Sequence, residues 1–134
     1  IRDSSETFIK VGASSINLNE SFTAYFSNYG KINVDIFAPG VDIYSTMPNN
    51  KYKSQDGTSM SSPVVAGVAS LIMSYFPKLS AKKVKEIILE SGIEVDLNIG
   101  NLGDNKNFKE YSKSGKLVNA YNALILASKS KRNR

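Results

Sequence analysis

Cysteine, histidine and tryptophan are missing from this chain of 134 residues. It has no cysteine, which excludes a disulfide framework and any metal site built on thiolates. It also has no histidine, so the ligands that zinc prefers are both absent. No run of about 18 or more apolar residues occurs, and the sequence therefore predicts no membrane-spanning helix. No phosphate-binding glycine loop is present either.

Positive charge is concentrated at one end of the chain. The formal net charge is +5, and four of these charges come from the last six residues, namely Lys129, Lys131, Arg132 and Arg134. Subtracting them leaves +1 for residues 1–128. A folded basic face is therefore not predicted, and neither is a nucleic-acid partner. We expect one domain over residues 1–128 and a solvated basic tail over 129–134.

The most informative run of residues is Gly57–Gly67, which reads GTSMSSPVVAG. It predicts a turn of small residues followed by an apolar helix. Ser59 lies on that turn, where Gly57 is expected to let a partner backbone approach closely. The helix directs free N–H groups and the positive end of its dipole toward the serine. This is what an acyl-transfer nucleophile and part of an oxyanion hole require, although a simple turn or cap serine is the alternative.

This run resembles the active-serine signature of the subtilisin-like serine proteases, the subtilases. Five further blocks follow the order found in that family: FIKVGA (8–13), FSNYG (26–30), FAPG (37–40), VDIYSTMP (41–48) and GKLVNAYNA (115–123). The resemblance covers nearly the whole chain but only the C-terminal half of the family's domain. It implies an α/β fold, the C-terminal portion of a three-layer domain with a mostly parallel sheet and flanking helices.

The resemblance also implies roles for particular residues. Ser59 corresponds to the catalytic nucleophile, and its neighbours in the cleft are Asp56, Gly57, Thr58, Met60 and Phe26. Thr58 and Met60 border the oxyanion side, although Met60 is equally suited to filling a core. Phe26 matches a residue on the leaving-group side, or it is plain packing. Asp56 stands where many subtilases have Asn; we favour a turn residue over a charge that acts on bound substrate.

Other parts of the family's active site have no counterpart in this chain. The family uses Asp, His and Ser in that order, and both Asp and His would precede Ser59, as would the Asn that donates to the oxyanion. A serine hydroxyl needs a base to take its proton, and the chain has no histidine. We therefore expect the nucleophile half of a serine endopeptidase, inactive by itself. The alternative is a pseudoprotease or binding module that kept the fold.

Two positions in the signature depart from the family. Val64 stands where the family usually has a histidine, and Ser61 stands where alanine is common. That histidine is not the base of the triad, so its replacement does not argue against catalysis.

The hydrophobic pattern predicts strands followed by helices. Strands are expected over 7–13, 32–37, 41–46 and 51–54, and helices over 62–76, 80–91 and 119–128. The first helix has apolar residues on nearly every side, which predicts burial all round. The second is amphipathic, with Ser80 as its N-cap and Gly92 as its stop.

A half domain has a predictable weakness. A parallel sheet has to be covered on both faces, and most of the sheet implied by the resemblance would lie outside this chain. We expect an exposed strand edge and exposed apolar sides of the first helix. The isolated chain should therefore form oligomers, exchange elements or bind the missing N-terminal half. The first residue is not Met, which fits a fragment of a longer protein.

The remaining expectations concern ligands and location. An oxygen-rich loop carries Asp96, Asn98, Asp104 and Asn107, but its spacing is not that of an EF-hand, and a polar surface loop is predicted. We expect no metal or other cofactor in this chain, whereas the family resemblance leaves calcium possible in the full domain. The same resemblance implies a peptide or protein substrate and a secreted or cell-envelope location.

Overall fold

The computed structural model describes residues 6–100 and 105–132. Its strands are β1 (Val11–Ser14), β2 (Ile36–Pro39), β3 (Ile43–Met47), β4 (Lys51–Gln55), β5 (Ile93–Glu94), β6 (Asn98–Ile99), β7 (Lys106–Asn107) and β8 (Lys116–Leu117). The helices are α1 (Thr58–Tyr75), α2 (Ala81–Ser91) and α3 (Ala120–Arg132). A 3₁₀ turn spans Phe108–Glu110.

The central sheet has four strands in the order β1-β2-β8-β5. β1 and β8 both run parallel to β2, and only β5 is antiparallel to its neighbour. The predicted α/β fold with a mostly parallel sheet and flanking helices is confirmed. Hairpins β3–β4 and β6–β7 form two separate antiparallel ribbons.

Strand β2 divides the core into two clusters because its side chains alternate between the two faces of the sheet. Ile36 and Ala38 pack with the buried sides of all three helices, and every residue of this cluster is at most 8% exposed. Phe37 points to the other face and joins Phe22, Val34, Ile99, Phe108 and Tyr111. Its ring lies 5.0 Å from that of Phe108, and the Phe22 ring lies 5.1 Å from Phe108. Helices thus cover one face, and loop residues cover the other.

Helix α1 differs from its prediction in start and in burial. It begins at Thr58 rather than near residue 62, so Ser59 belongs to its first turn. Val65, Val68 and Ile72 are buried, but Met73 is 47% exposed and Tyr75 is 68% exposed. The expectation of burial on all sides is therefore wrong, because α2, α3 and the sheet contact only one side of this helix. Exposed apolar residues on this helix agree with the expectation for a half domain.

The other two helices lie close to their predicted positions. The Ser80 hydroxyl caps α2 by accepting a hydrogen bond from the Lys83 N–H at 3.2 Å. Helix α3 continues to Arg132, four residues beyond the predicted end, so residues 129–132 of the predicted tail are helical. Residues 133–134 lie outside the described part of the chain, and the domain boundary at residue 128 stays a prediction.

A buried carboxylate fastens the segment before β1 to the rest of the fold. Asp35 is only 4% exposed, and its Oδ2 accepts a hydrogen bond from the Lys10 N–H at 2.9 Å. The same oxygen lies 3.6 Å from Nζ of Lys85 on α2, an ammonium that also donates to the carbonyl of Phe8. One acidic side chain therefore links β2, α2 and residues 8–10.

Replacing this carboxylate should destabilise the protein strongly. Asp35→Ala leaves the Lys85 ammonium without its buried partner, and we expect the free energy of unfolding to fall by about 3–5 kcal/mol. Urea denaturation followed by circular dichroism measures the change. Glu6→Ala, which breaks the exposed ion pair with Lys82, is the matched control and should leave the midpoint unchanged. Equal midpoints for the two variants would contradict this assignment.

Candidate active site

Ser59 is the second residue of the 18-residue helix α1, and its side chain is exposed to solvent. Gly57 stands at the N-cap and has no side chain with which to accept a hydrogen bond from the first turn. Its carbonyl accepts from the N–H groups of Met60 and Ser61, at 3.0 and 3.4 Å. Within the described residues the N–H groups of Thr58 and Ser59 have no partner. Two unsatisfied donors therefore lie at the positive end of a helix, directly beside a serine hydroxyl.

The backbone of Gly57 explains why a glycine precedes the helix. Its φ of 157° and ψ of 156° lie in a region that is essentially restricted to glycine. A Cβ built on Gly57 would approach Met60 Sδ only to 3.4 Å, which is close to ordinary contact. The expected close approach of a partner backbone is thus not the reason for this glycine. The reason is the backbone conformation that turns the chain from β4 into α1.

Close approach occurs instead at Gly40, a residue that sequence analysis did not single out. Gly40 follows β2, and its N–H donates to the Ser14 carbonyl at 2.9 Å while its own carbonyl accepts from the Gly57 N–H at 2.8 Å. A Cβ on Gly40 would collide with the Ser61 hydroxyl and would lie 2.8 Å from the Gly57 carbonyl oxygen. The FAPG block contains this residue and was the available signal.

Ser61 fixes the helix to the sheet from the other side. It is fully buried, and its hydroxyl donates to the carbonyl of Ala38 on β2 at 3.1 Å. Together with the Gly40–Gly57 bond, this contact ties the first turn of α1 to the carboxyl end of β2. The position of Ser59 is thereby set by the sheet, and open α/β sheets place their ligand sites at that edge.

Asp56 closes the base of the β3–β4 hairpin. Its Oδ1 accepts a hydrogen bond from the Asp42 N–H at 2.7 Å, and Asp42 adopts the left-handed conformation with φ of 57°. The contact agrees with the turn role that the sequence favours for Asp56. An effect of its charge on bound substrate stays a prediction.

The other predicted cleft residues divide into two groups. Thr58 and Met60 flank Ser59 on the first turn of α1, and both are half-buried. Phe26 is also half-buried and lies in the segment between β1 and β2, where its ring packs edge-on against Tyr25 at 5.2 Å. The segments that carry Phe26 and Ser59 leave the carboxyl ends of neighbouring parallel strands.

The predicted polar loop is only partly visible. The Asn107 amide donates to Asp96 Oδ1 at 2.8 Å, whereas Asp104 lies outside the described residues. In the described ranges, no three side chains of the His, Cys, Asp or Glu type gather as metal ligands would. Among those same residues, no helix has the length and apolar character needed to cross a bilayer.

Comparisons with known proteins point to one family. A sequence model of the Subtilase family matches residues 3–121. Subtilisin DY of Bacillus licheniformis is 49% identical over 80 residues, which cover 60% of this chain and 28% of that protein. A cell wall-associated protease of Bacillus subtilis is 34% identical over 108 residues, covering 81% of this chain and 12% of that protein. The chain therefore spans well under half the length of these curated relatives.

Solved structures show the same fold. The chain matches a structure of the subtilase cytotoxin SubAB with a TM-score of 0.71 and 25% identity, covering 94% of this chain and 40% of that one. It matches the self-cleaved protease domain of PatA with a TM-score of 0.67 and 23% identity, covering 92% of this chain and 42% of that one. At 23% identity the second match supports the fold alone.

Two glycine-to-alanine changes should have opposite effects on stability. Gly40→Ala places a methyl group against Ser61 and the Gly57 carbonyl, and this overpacking should lower the free energy of unfolding by about 1–3 kcal/mol. Gly67→Ala is the matched control: no atom lies within 4 Å of its added Cβ, and loss of a helical glycine should stabilise by about 0.5–1 kcal/mol. Chemical denaturation compares the two. A Gly40→Ala protein as stable as Gly67→Ala would contradict the close contact at this strand end.

Proposed function

The chain belongs to the subtilase family, and we propose that it supplies the nucleophile of a serine endopeptidase, with Ser59 in that role. The observation that carries the proposal is an exposed hydroxyl placed beside two unpartnered N–H groups at a helix N-terminus. This combination serves an acyl-transfer reaction because a nucleophile and an oxyanion donor must act on the same carbonyl. The proposed substrate is a peptide or a protein.

The proposed reaction follows from these positions. The Ser59 oxygen forms a bond to the carbonyl carbon, and the carbonyl oxygen gains the negative charge. The Ser59 N–H donates to that oxygen, and the helix dipole lowers its energy further. The C–N bond then breaks, the amine leaves with the proton taken from the hydroxyl, and water hydrolyses the acyl-enzyme. Met60 and Thr58 shape the oxyanion side in this proposal, and Phe26 borders the leaving amine.

The proton acceptor has to come from another polypeptide segment. The chain has no histidine, and the nearby Asp56 carboxylate is engaged with the Asp42 N–H. We propose that His, its partner Asp and an Asn oxyanion donor lie on an N-terminal segment of the full catalytic domain. That segment would pack on the exposed side of α1 and along the start of β1. Within the described residues β2 is the only sheet neighbour of β1, and Ala24 and Ser27 already bond its outer edge at Ala13. By itself the chain would be inactive.

The proposed location is the cell exterior. It is supported by the family resemblance and by relatives that include a cell wall-associated protease. The alternative is a pseudoprotease, which keeps the fold and Ser59 but does not catalyse hydrolysis. The absence of histidine from the chain is the observation that favours this alternative.

Substitution of the nucleophile provides a direct kinetic test. In the full-length protein, Ser59→Ala should reduce kcat for peptide hydrolysis by about 10⁴-fold or more, a scale measured for subtilisin itself. Ser62→Ala removes an exposed hydroxyl one helical turn away and should leave kcat within about twofold of the parent. An unchanged kcat in Ser59→Ala would refute the assignment. No activity in the parent protein would favour the pseudoprotease.

The exposed side of α1 should make the isolated chain self-associate. Leu71 and Tyr75, four residues apart on one flank of α1, and Met73 on the opposite flank present apolar surface that the N-terminal segment would cover. We expect dimers or larger species in sedimentation velocity and a shift toward monomer in Met73→Glu. A parent chain that sediments as a monomer and unfolds cooperatively would contradict a missing partner on this surface.

A further inference from the structure

The β3–β4 hairpin is an arm with little support from the remainder of the fold. Its five-residue strands pair with each other from Ile43–Gln55 at the base to Met47–Lys51 at the tip. Contacts with other elements are slight in comparison. An isolated two-stranded ribbon is marginally stable by itself, so contacts at its base and within it have to hold its shape.

The base of the arm is fastened beside Ser59. Asp56 and Gly57 follow β4 directly. The Asp56 carboxylate accepts a hydrogen bond from the Asp42 N–H at 2.7 Å, and the Gly57 N–H donates to the Gly40 carbonyl at 2.8 Å. Ser59 lies only four residues after the last residue of β4. The direction of the arm is thus set by the same contacts that position the proposed nucleophile.

The two faces of the arm have different chemistry. On one face, Tyr44 and Tyr52 lie diagonally across the strands with their rings stacked 5.8 Å apart at 18°. This pair stiffens the ribbon although both residues are at least 60% exposed. The other face carries Lys51 and Lys53, two positions apart on β4, with Gln55 next toward the base.

The lysines and the strand edge both lack partners. Neither Lys51 nor Lys53 forms an ion pair with any residue in the described ranges, whereas Lys82, Lys83 and Lys85 each have a carboxylate partner. Among the described residues, strand β4 pairs only with β3, so its outer edge offers free N–H and C=O groups. An extended peptide can add to such an edge, with main-chain bonds supplying affinity and side chains supplying selectivity.

We propose that the outer edge of β4 binds an extended segment of the substrate, and that Lys51 and Lys53 select acidic residues at alternate positions of that segment. The inference rests on the proposed endopeptidase function and adds a substrate class to it. Alternate spacing follows from geometry: residues i and i+2 of a strand share a face, so only acids two apart meet both lysines. Because the arm leads directly into the turn before Ser59, a peptide bound along β4 would also lie close to the nucleophile. We therefore infer that a substrate, and not another copy of the chain, occupies this edge.

Binding of designed peptides tests the spacing rule without requiring catalysis. Fluorescein-labelled peptides of 12 residues would carry two Glu at alternate positions, the same two Glu side by side, or two Lys at alternate positions. Anisotropy titration against full-length protein carrying Ser59→Ala gives each Kd. We expect the alternate-Glu peptide to bind about fivefold more tightly than the adjacent-Glu peptide, and the Lys peptide to bind most weakly.

Charge reversal locates the effect on the arm. The double change Lys51→Glu and Lys53→Glu should invert the order, so that the alternate-Lys peptide binds best. The matched control, Lys78→Glu with Lys113→Glu, alters two exposed lysines away from the arm by the same total charge and should keep the parent order. Equal Kd values for both Glu spacings would overturn the proposal, and so would an equal loss of affinity for the alternate-Glu peptide in the control variant. The lysines would then serve only to prevent aggregation at an exposed strand edge.

These experiments distinguish a failure of the substrate-binding proposal from a failure of the proposed endopeptidase function. If Ser59→Ala abolishes hydrolysis by the full-length protein but spacing has no effect on Kd, the substrate-binding arm is wrong and the nucleophile stands. If the spacing rule holds in a protein that hydrolyses no peptide, the arm binds an acidic strand and the endopeptidase assignment fails.

Discussion

The contact between Gly40 and the turn that precedes α1 is the constraint on which the candidate site depends. At this point the end of β2, the Gly57 carbonyl and the Ser61 hydroxyl lie too close together for any side chain on residue 40. The contact brings a helix N-terminus against the carboxyl end of a parallel strand, and the backbone of Gly57 then turns the chain so that Ser59 is exposed. The free N–H groups beside Ser59 follow from this arrangement, since a glycine at the N-cap leaves them unsatisfied.

The uneven coverage of the sheet and of α1 has a common cause. The three helices share one face of the sheet, and aromatic residues from loops fill the other, so the core around Ile36 and Phe37 is complete. The far side of α1 and the start of the outer edge of β1 have no partner among the described residues, whereas Ala13, near the end of β1, is bonded to Ala24 and Ser27. The chain spans well under half of its relatives' length, and in our proposal the segments that cover these surfaces belong to an N-terminal part of the catalytic domain.

Much of this could be predicted from the sequence because the signals are local. The Ser80 cap and the amphipathic pattern of α2 each depend on a few neighbouring residues, and both appear where expected. The start of α1 was misplaced by four residues because Thr58, Ser59 and Ser61 have weak helix propensity, and the anchoring of Ser61 to Ala38 outweighs it. The FAPG block marked the position of Gly40, but its contacts with Gly57 and Ser61 could not be predicted, since they form only in the folded chain. The same holds for the link between Asp35 and Lys85.

In the proposed reaction, this chain positions Ser59 as the nucleophile, and a base from another segment takes its proton. Intact-mass analysis after exposure to a fluorophosphonate probe, with the labelled peptide mapped, tests this assignment most directly. We expect a single adduct on Ser59 in the full-length protein and none on the isolated chain, which has no histidine to take the proton. An adduct on another serine, or an unlabelled full-length protein with its fold intact, would contradict it.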